Sequence, residues 1–371
     1  MNENRSDRNK KRSRVKITII SIIVLMLVGV FWFLHSVYKS VDNNMSQSYS
    51  QIKETNGRDT SKLVKEGKPI SILLLGTDTG ALKRTDNGRT DTMMLITISK
   101  KNVKLTSIPR DTIVTIPGME KETDLQKINS VYTFTNVSKT VSTVSKYLNV
   151  PIDYYALVNM GGLEKIVNQL GGIKVKSPLT FTFSPDTAHS YGKNLYKFYK
   201  GKTTFKYAKD GVHFKTYHKM NGAAALAFTR MRYEDPRSDY GRTQRQRLVI
   251  EQILKHTKDP RMLLNQKFMK SISSNVRTNI STKVMLSIAT EYFSARKHVK
   301  ATSIAESNFD YNGVDYEVLS NHEKQKVTNN LRSELELKHA KTGPILAGDS
   351  KKIVVPDELE ELLYTSASPT N

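Results

Sequence analysis

Carboxylates and guanidinium groups gather where strands ought to end, and the chain's chemistry is best sought there. Asp78 follows the apolar run LLLGT, which puts it at the carboxyl edge of a strand, where open α/β sheets usually take their ligands. Thirteen residues on, Arg89-Thr90-Asp91 runs straight into the strand MMLITIS. If those strands are neighbours, Asp78 and Asp91 converge at one end of the sheet, and two hard oxygens with water and a substrate phosphate are what magnesium requires. Two loop aspartates capping helices or turns fit the same spacing. Arg110 lies in SIPRD, just after another strand, with Pro109 restricting how the arginine is presented. A salt bridge with Asp111 would also account for it. Lys127 and Asn129 offer a cation and an amide two residues apart, on one face if the segment is extended.

The densest signal is FTRMR (228–232), followed by Asp235, Asp239, Arg242, Arg245, Gln246 and Arg247. In an extended segment Arg230 and Arg232 share a face, and in a helix Arg242, Arg245 and Gln246 share one at i, i+3 and i+4. The planar fork of arginine gives a phosphate two parallel charge-assisted hydrogen bonds, and a pyrophosphate needs several. A solvated basic helix explains 242–247. It does not explain paired arginines in the apolar stretch ALAFTRMR, read as a strand, where burial without an anion is expensive. Other catalytic signatures are missing: there is no H-E-x-x-H and no G-x-S-x-G, and Gly201-Lys202-Thr203 lacks the first glycine of a phosphate loop, Tyr196 standing in its place. The eight histidines are scattered, none at metal-ligand spacing, and zero cysteines exclude disulfides, thiolate metal sites and a cysteine nucleophile.

The elements that must position these groups form a mixed α and β order. PISILLLG (69–76), MMLITIS (93–99) and VKLTSI (103–108) read as strands, the last two as a hairpin. A helical period follows at 139–148, a strand at 154–160, a helix at 162–170 and a strand in IKVKS. Further helices are expected at about 243–257, 261–269, 283–298 and 322–336. Between them, 184–218 interleaves aromatic residues with lysines, a loop or hairpin that stacks on sugars or packs on itself. The last stretch, from Pro344, has a net charge of −3 and reads as a loose acidic tail, 344–371.

The chain has 371 residues and a net charge of +23, so anionic partners are expected. Residues 1–16 hold seven cations against two acids. Then comes an uncharged apolar run which, as a helix, spans about 27 Å, close to the thickness of a bilayer core. The exit HSVYK has no small-residue cleavage pattern, so 17–38 is expected to remain as a transmembrane anchor. The cationic flank places the N-terminus in the cytoplasm and everything after Tyr38 outside the cell membrane. Residues 39–68 are polar and suit a stalk, and the folded domain is expected over 69–343. Nucleic acid is not an expected partner, because the cytoplasmic tail is too short for a groove-reading module.

In this order, LLLGTDTGALKRTDNGRTDTMMLITI, SIPRDT, KINSVY, NMGGLEKIVNQLGGI and NGAAALAFTRMR leading into DYGRTQRQ resemble the LytR-CpsA-Psr family over roughly residues 70–338. The resemblance implies a three-layer α/β/α sandwich with a central mixed sheet, after the N-terminal transmembrane helix, and an apolar pocket for a polyprenyl chain. It implies a phosphotransferase that moves a glycopolymer (wall teichoic acid, capsule or a related polysaccharide) from a polyprenyl-pyrophosphate carrier to a peptidoglycan sugar hydroxyl. Hydrolysis of the same lipid, or mere binding of polymer or lipid, are the alternatives. Carried over, Asp78 and Asp91 would hold magnesium, or manganese in its place. Arg89 and Arg110 would hold the diphosphate, with Arg230, Arg232, Arg242 and Gln246 completing the anion site and Lys127 and Asn129 at its edge. Arg84 matches the family's first loop, and Asp91, Arg89 and Arg110 are the expected catalytic groups. Asp91 and then Asp239 are the candidates for general base. Two departures stand out: Val131 for the usual alanine in KINSAY, and Arg247 where a second glutamine is common.

Overall fold

A computed structural model describes residues 49–51, 57–77, 88–256 and 266–365. The expected span at 17–38, Asp78 and Arg84 lie outside the described residues. Among the described residues no helix is long and apolar enough to cross a membrane.

The central sheet is built of β1 (Ile70–Thr77), β2 (Thr92–Ile98), β3 (Val103–Ser107), β4 (Tyr154–Asn159), β5 (Val276–Thr278) and β6 (Val299–Ser303), in the spatial order β5-β4-β1-β2-β3-β6. It is mixed: β1 runs parallel to β4 and β3 to β6, while the remaining pairs are antiparallel. Helices α1 (Thr60–Glu66), α2 (Val137–Leu148), α3 (Gly222–Arg230), α4 (Ser238–His256), α5 (Thr282–Glu291), α6 (Asn321–Glu334) and α7 (Asp357–Tyr364) surround it.

Side chains alternate across a strand, so β1 serves two cores at once. Leu73 and Leu75 face α2 and α6, packing with Val141, Val144 and Leu331. Ile70 and Ile72 face the other way, toward Val64 of α1, Ile250 and Leu254 of α4 and Ile288 of α5. Helices on both faces of one sheet make three α/β/α layers.

The register sets which loops meet. Gly76 pairs with Thr92 and Met94 pairs with Ser107. The carboxyl ends of β1, β3 and β4 therefore share an edge with the start of β2. At this edge β1 and β2 approach so closely that a Cβ on Gly76 would lie 2.8 Å from Thr92 Cβ, which is why glycine ends the run.

Four expectations are corrected. ALAFTRMR is no strand: α3 covers Gly222–Arg230, capped by the Asn221 side chain, which accepts from the Ala224 N–H. Three successive alanines, the strongest helix formers, outweigh the apolar pattern. IKVKS forms only isolated bridges, Ile173 with Met220 and Ser177 with Lys200. The stretch taken as the end of a stalk is docked: Val64 is buried, and Arg58 Nη1 lies 2.9 Å from the buried Asp153 carboxylate, which also accepts from the Ser71 N–H. The presumed acidic tail is built in as far as Thr365. Leu346, Leu359 and Leu363 are buried against Ile113, Leu125 and Tyr316, and the Lys324 ammonium donates to the carbonyls of Pro344 and Ile345.

Residues 181–217 form a second, four-stranded antiparallel sheet, with Phe181, Phe183, Phe198 and Phe205 packed against Phe228 of α3. Its phenylalanines pack on themselves. Tyr191 and Tyr217 remain exposed.

Candidate active site

Arg110 stands at the centre of the edge described above. It follows β3, and its guanidinium reaches three carboxylates: Asp91 Oδ1 at 2.9 Å, Asp239 Oδ2 at 3.1 Å and Asp111 Oδ2 at 3.3 Å. Burial works against its charge, but these carboxylates outweigh burial and raise its pKa above the ordinary arginine value. Lys127 Nζ pairs with Asp111 Oδ1 at 2.9 Å, and Asn129 Nδ2 donates to Asp91 Oδ1 at 3.3 Å. Burial disfavours the Asp91 carboxylate, yet Arg110 and Arg242 more than compensate and hold its pKa below the usual range. Asp91 is therefore ionised at neutral pH.

The opposite wall is α4. Its first turn brings Asp239 to Arg110, and Arg242, one turn on, pairs with Asp239 Oδ1. Burial, with the positive charges of Arg110 and Arg232 nearby, lowers the pKa of Arg242 despite the attraction of Asp239 and Asp91. Arg242 Nε, Gln246 Oε1 and Asn129 Oδ1 are buried without a hydrogen-bond partner. Buried polar groups are almost always satisfied, so a cluster of open ones at one edge marks a place for a polar ligand.

The sequence-predicted groups divide accordingly. Asp91, Arg110, Lys127, Asn129 and Arg242 come together, Gln246 lies one further turn along α4, and Arg232 is near enough to act on Arg242. Arg230 ends α3 and is partly buried, while Arg89 is exposed just ahead of Asp91. Arg245 does not join them: it is fully buried, bonded to Asp235, Phe228 O and Met231 O, and packed 5.3 Å from the Phe181 ring. It fastens α4 to the loop after α3. Gly241 belongs to the same joint, because a Cβ there would overlap the Asp235 carboxylate.

Glu306 and Glu317 were not legible in the sequence. Both are buried beside Asp111, and Thr112 Oγ1 lies 2.9 and 3.0 Å from the two Glu306 oxygens. The same hydroxyl donates to Pro109 O at 2.7 Å, so its one proton is committed and Glu306 must supply the proton between them. Burial, then Glu317, pushes Glu306 far above the carboxylate range. Burial and Asp111 carry Glu317 to about 7. Tyr240, next to Asp239, bonds Glu317. The two glutamates sit about 200 residues after Thr112 in the chain, and no local pattern marks them.

Among the described residues no three His, Asp or Glu side chains gather as a metal site. What is present fits a hard cation in part: Asp91 is an ionised carboxylate, and Asn129, bonded to it through Nδ2, keeps a buried amide oxygen without a hydrogen-bond partner.

A three-layer sandwich with arginines and carboxylates clustered at one sheet edge, and polar groups left open among them, is the architecture of an α/β domain that takes a polar ligand at that edge. The LytR_cpsA_psr family model matches residues 33–333. The chain belongs to that family. A polyisoprenyl-teichoic acid–peptidoglycan teichoic acid transferase TagU from Enterococcus faecalis is 34% identical over 331 residues, covering 88% of this chain and 99% of its own length. The crystal structure of protein gbs0355 from Streptococcus agalactiae superposes with a TM-score of 0.63 at 30% identity, over 77% of this chain and 94% of that one. A structure of TagT bound to LIIa-WTA gives 0.56 at 27% identity, over 77% and 95%.

Proposed function

We propose that the chain is a phosphotransferase that moves an anionic glycopolymer from a polyprenyl-pyrophosphate carrier to a peptidoglycan sugar hydroxyl. The polymer class is wall teichoic acid, capsule or a related polysaccharide. One observation carries the reading: Arg110 beside Asp91 and Arg242 beside Asp239 come together from separate segments at the sheet edge, with Arg232 acting on Arg242 from a third and the Arg242 Nε left open. The name of the E. faecalis relative and the ligand of TagT supply the substrate class.

In the reaction the acceptor hydroxyl attacks the phosphorus carried by the glycan, and the bond to the polyprenyl phosphate breaks. A phosphodiester forms, polyprenyl phosphate leaves, and the hydroxyl proton is taken up by a base or the leaving phosphate. Such a transfer needs positioning and charge neutralisation more than a covalent nucleophile. Arg110 and Arg242 face the diphosphate, with Arg232 and Gln246 beside them and Arg89, Arg230 and Lys127 at the rim. Arg84 lies five residues before Arg89 in the chain and is assigned to the same diphosphate. Asp239 already bridges Arg110 and Arg242, which favours a role in holding them, and leaves Asp91 or the leaving phosphate to take the proton. Asp91, with Asp78, would hold magnesium or manganese, which when bound would neutralise phosphate charge. The apolar segment 17–38 anchors the chain N-in, so that the site works on the outer side of the cell membrane, where carrier lipid and peptidoglycan meet.

The test is incubation of the full chain in detergent with lipid-pyrophosphate-linked saccharide, magnesium and peptidoglycan oligomers, with mass spectrometry of the products. A phosphodiester-linked product that is lost in Asp91→Ala supports the transferase. Free saccharide phosphate alone would make it a hydrolase, and lipid bound without reaction would make it a receptor.

A further inference from the structure

The loop 184–194 and the turn after α3 meet in a row of aromatic rings that no packing need explains. His189 stacks on Tyr191 at 5.5 Å and 5° on one side and on Tyr233 at 5.2 Å and 24° on another. Tyr191 is 64% and Tyr233 68% exposed, so the row stands in solvent although large aromatic rings are normally buried for their apolar area. The loop that presents it is rigid. Ser184 N donates to His189 O at 2.8 Å, Thr187 Oγ1 to Tyr191 O at 2.7 Å, and Asn194 Nδ2 to Asp186 Oδ2 at 2.8 Å. Tyr207 OH then fixes Asn194 at 2.7 Å. Gly192 is in a left-handed conformation at φ 109°, and Gly211 passes so close that a Cβ there would be 2.3 Å from Gly192 O. Hydrogen bonds and two glycines thus hold His189 and Tyr191 on a fixed loop, and Tyr233 stacks on it from the turn after α3 to complete the shelf.

The shelf begins where the anion site ends. Arg232 lies with its guanidinium 5.8 Å from the Tyr233 ring centroid, and its charge also acts on Arg242. The contacts therefore run from Arg232 over Tyr233 to His189 and Tyr191, with Arg232 following α3 on the side from which its charge reaches Arg242. Resting on the donor reading above, we propose that Tyr233, His189 and Tyr191 form the subsite for the lipid-proximal sugar rings of the donor. The first sugar is esterified directly to the pyrophosphate, so with the diphosphate on Arg110 and Arg242 that ring must lie next to the anion site. A pyranose offers an apolar C–H face to an aromatic ring and hydroxyls to the Tyr and His polar edges. The shelf thereby holds the part of the donor that stays with the transferred phosphorus, and sets which saccharide is accepted.

The experiment measures affinity of the full chain in detergent for two probes. One is farnesyl pyrophosphate, and the other is the same lipid carrying an N-acetylhexosamine disaccharide on its pyrophosphate. The wild type should bind the sugar-bearing lipid more tightly. Tyr191→Ala and Tyr233→Ala should each weaken that binding by roughly tenfold and leave the bare lipid unchanged. Both positions are exposed, so unchanged thermal midpoints should accompany the loss. Equal wild-type affinity for both lipids, or equal weakening of both by the variants, would overturn the subsite while leaving the anion site standing. Weakened binding of peptidoglycan oligomers, with donor binding intact, would assign the shelf to the acceptor and overturn it too. If the wild type bound neither lipid, the donor reading and the shelf would fall together.

Discussion

Glu317 gives the most demanding quantitative prediction, because the fold keeps a proton there that the unfolded chain would lose. Its carboxyl lies at about 7 in the fold against 4.5 in the unfolded chain, driven by burial and then by Asp111. Below pH 4.5 both states are protonated and the group contributes nothing to the pH dependence. Between 4.5 and 7 the unfolded chain releases the proton while the folded chain keeps it, so stability falls by about 1.4 kcal/mol per pH unit. The loss reaches roughly 3 kcal/mol by pH 7 and stays flat above that. Glu317→Gln keeps a neutral group of the same shape beside Glu306 and Tyr240. It should therefore match the wild type near pH 4.5 and exceed it by about 2–3 kcal/mol near pH 8. Urea unfolding followed by far-UV circular dichroism at the two pH values measures this. An equal change at both, or a loss near pH 8, would refute the claim that the fold holds this proton. Ionisation of Glu317 above pH 7 adds a negative charge within reach of Arg110, so the wild type should lose diphosphate affinity there and Glu317→Gln should lose less.

Four further outcomes follow from the same geometry. Arg110→Ala should cut the transfer rate by roughly 10²–10³, with circular dichroism unchanged, and a normal rate in the product assay would remove Arg110 from the chemistry. Asp235→Ala strips the buried Arg245 of its carboxylate and should cost roughly 3–5 kcal/mol in urea unfolding; a cost under about 1 kcal/mol would mean the pair does not hold α4. Deleting residues from Pro344 onward exposes the surfaces that bury Leu346, Leu359 and Leu363, worth about 1.5–3 kcal/mol each. The truncated chain should then melt well below the full one, and an unchanged midpoint would restore the view of a loose tail. Asp91→Asn should weaken magnesium dependence of the product yield, and an unaltered metal titration would place the cation elsewhere.

Much of the site was legible because its members are tied to strand ends within short motifs. Asp91 precedes β2, Arg110 follows β3, and Lys127 and Asn129 lie in one tripeptide, so local pattern singled them out and the family resemblance gave them roles. The sequence was misread where a local pattern favoured two outcomes. ALAFTRMR alternates well enough for a strand, yet its alanines and the Asn221 cap make it helical. The end of the chain was judged by its charge, although Leu359, Leu362 and Leu363 above an acidic first turn carry the spacing of an amphipathic helix.

By itself the sequence determined the cationic character, the strands and helices of clear period, and a set of candidate residues for a diphosphate. These are properties of residue type and short-range spacing. Tertiary structure alone decided which arginine serves which purpose. Arg242 and Arg245 lie three residues apart on one helix, yet one faces Asp239 at the open edge and the other is sealed against Asp235. It likewise brought Glu306 and Glu317 behind Arg110 across about 200 residues of chain. The physical reason is the same in each case: burial and charge neutralisation depend on what packs from distant segments, and no local pattern encodes that neighbour.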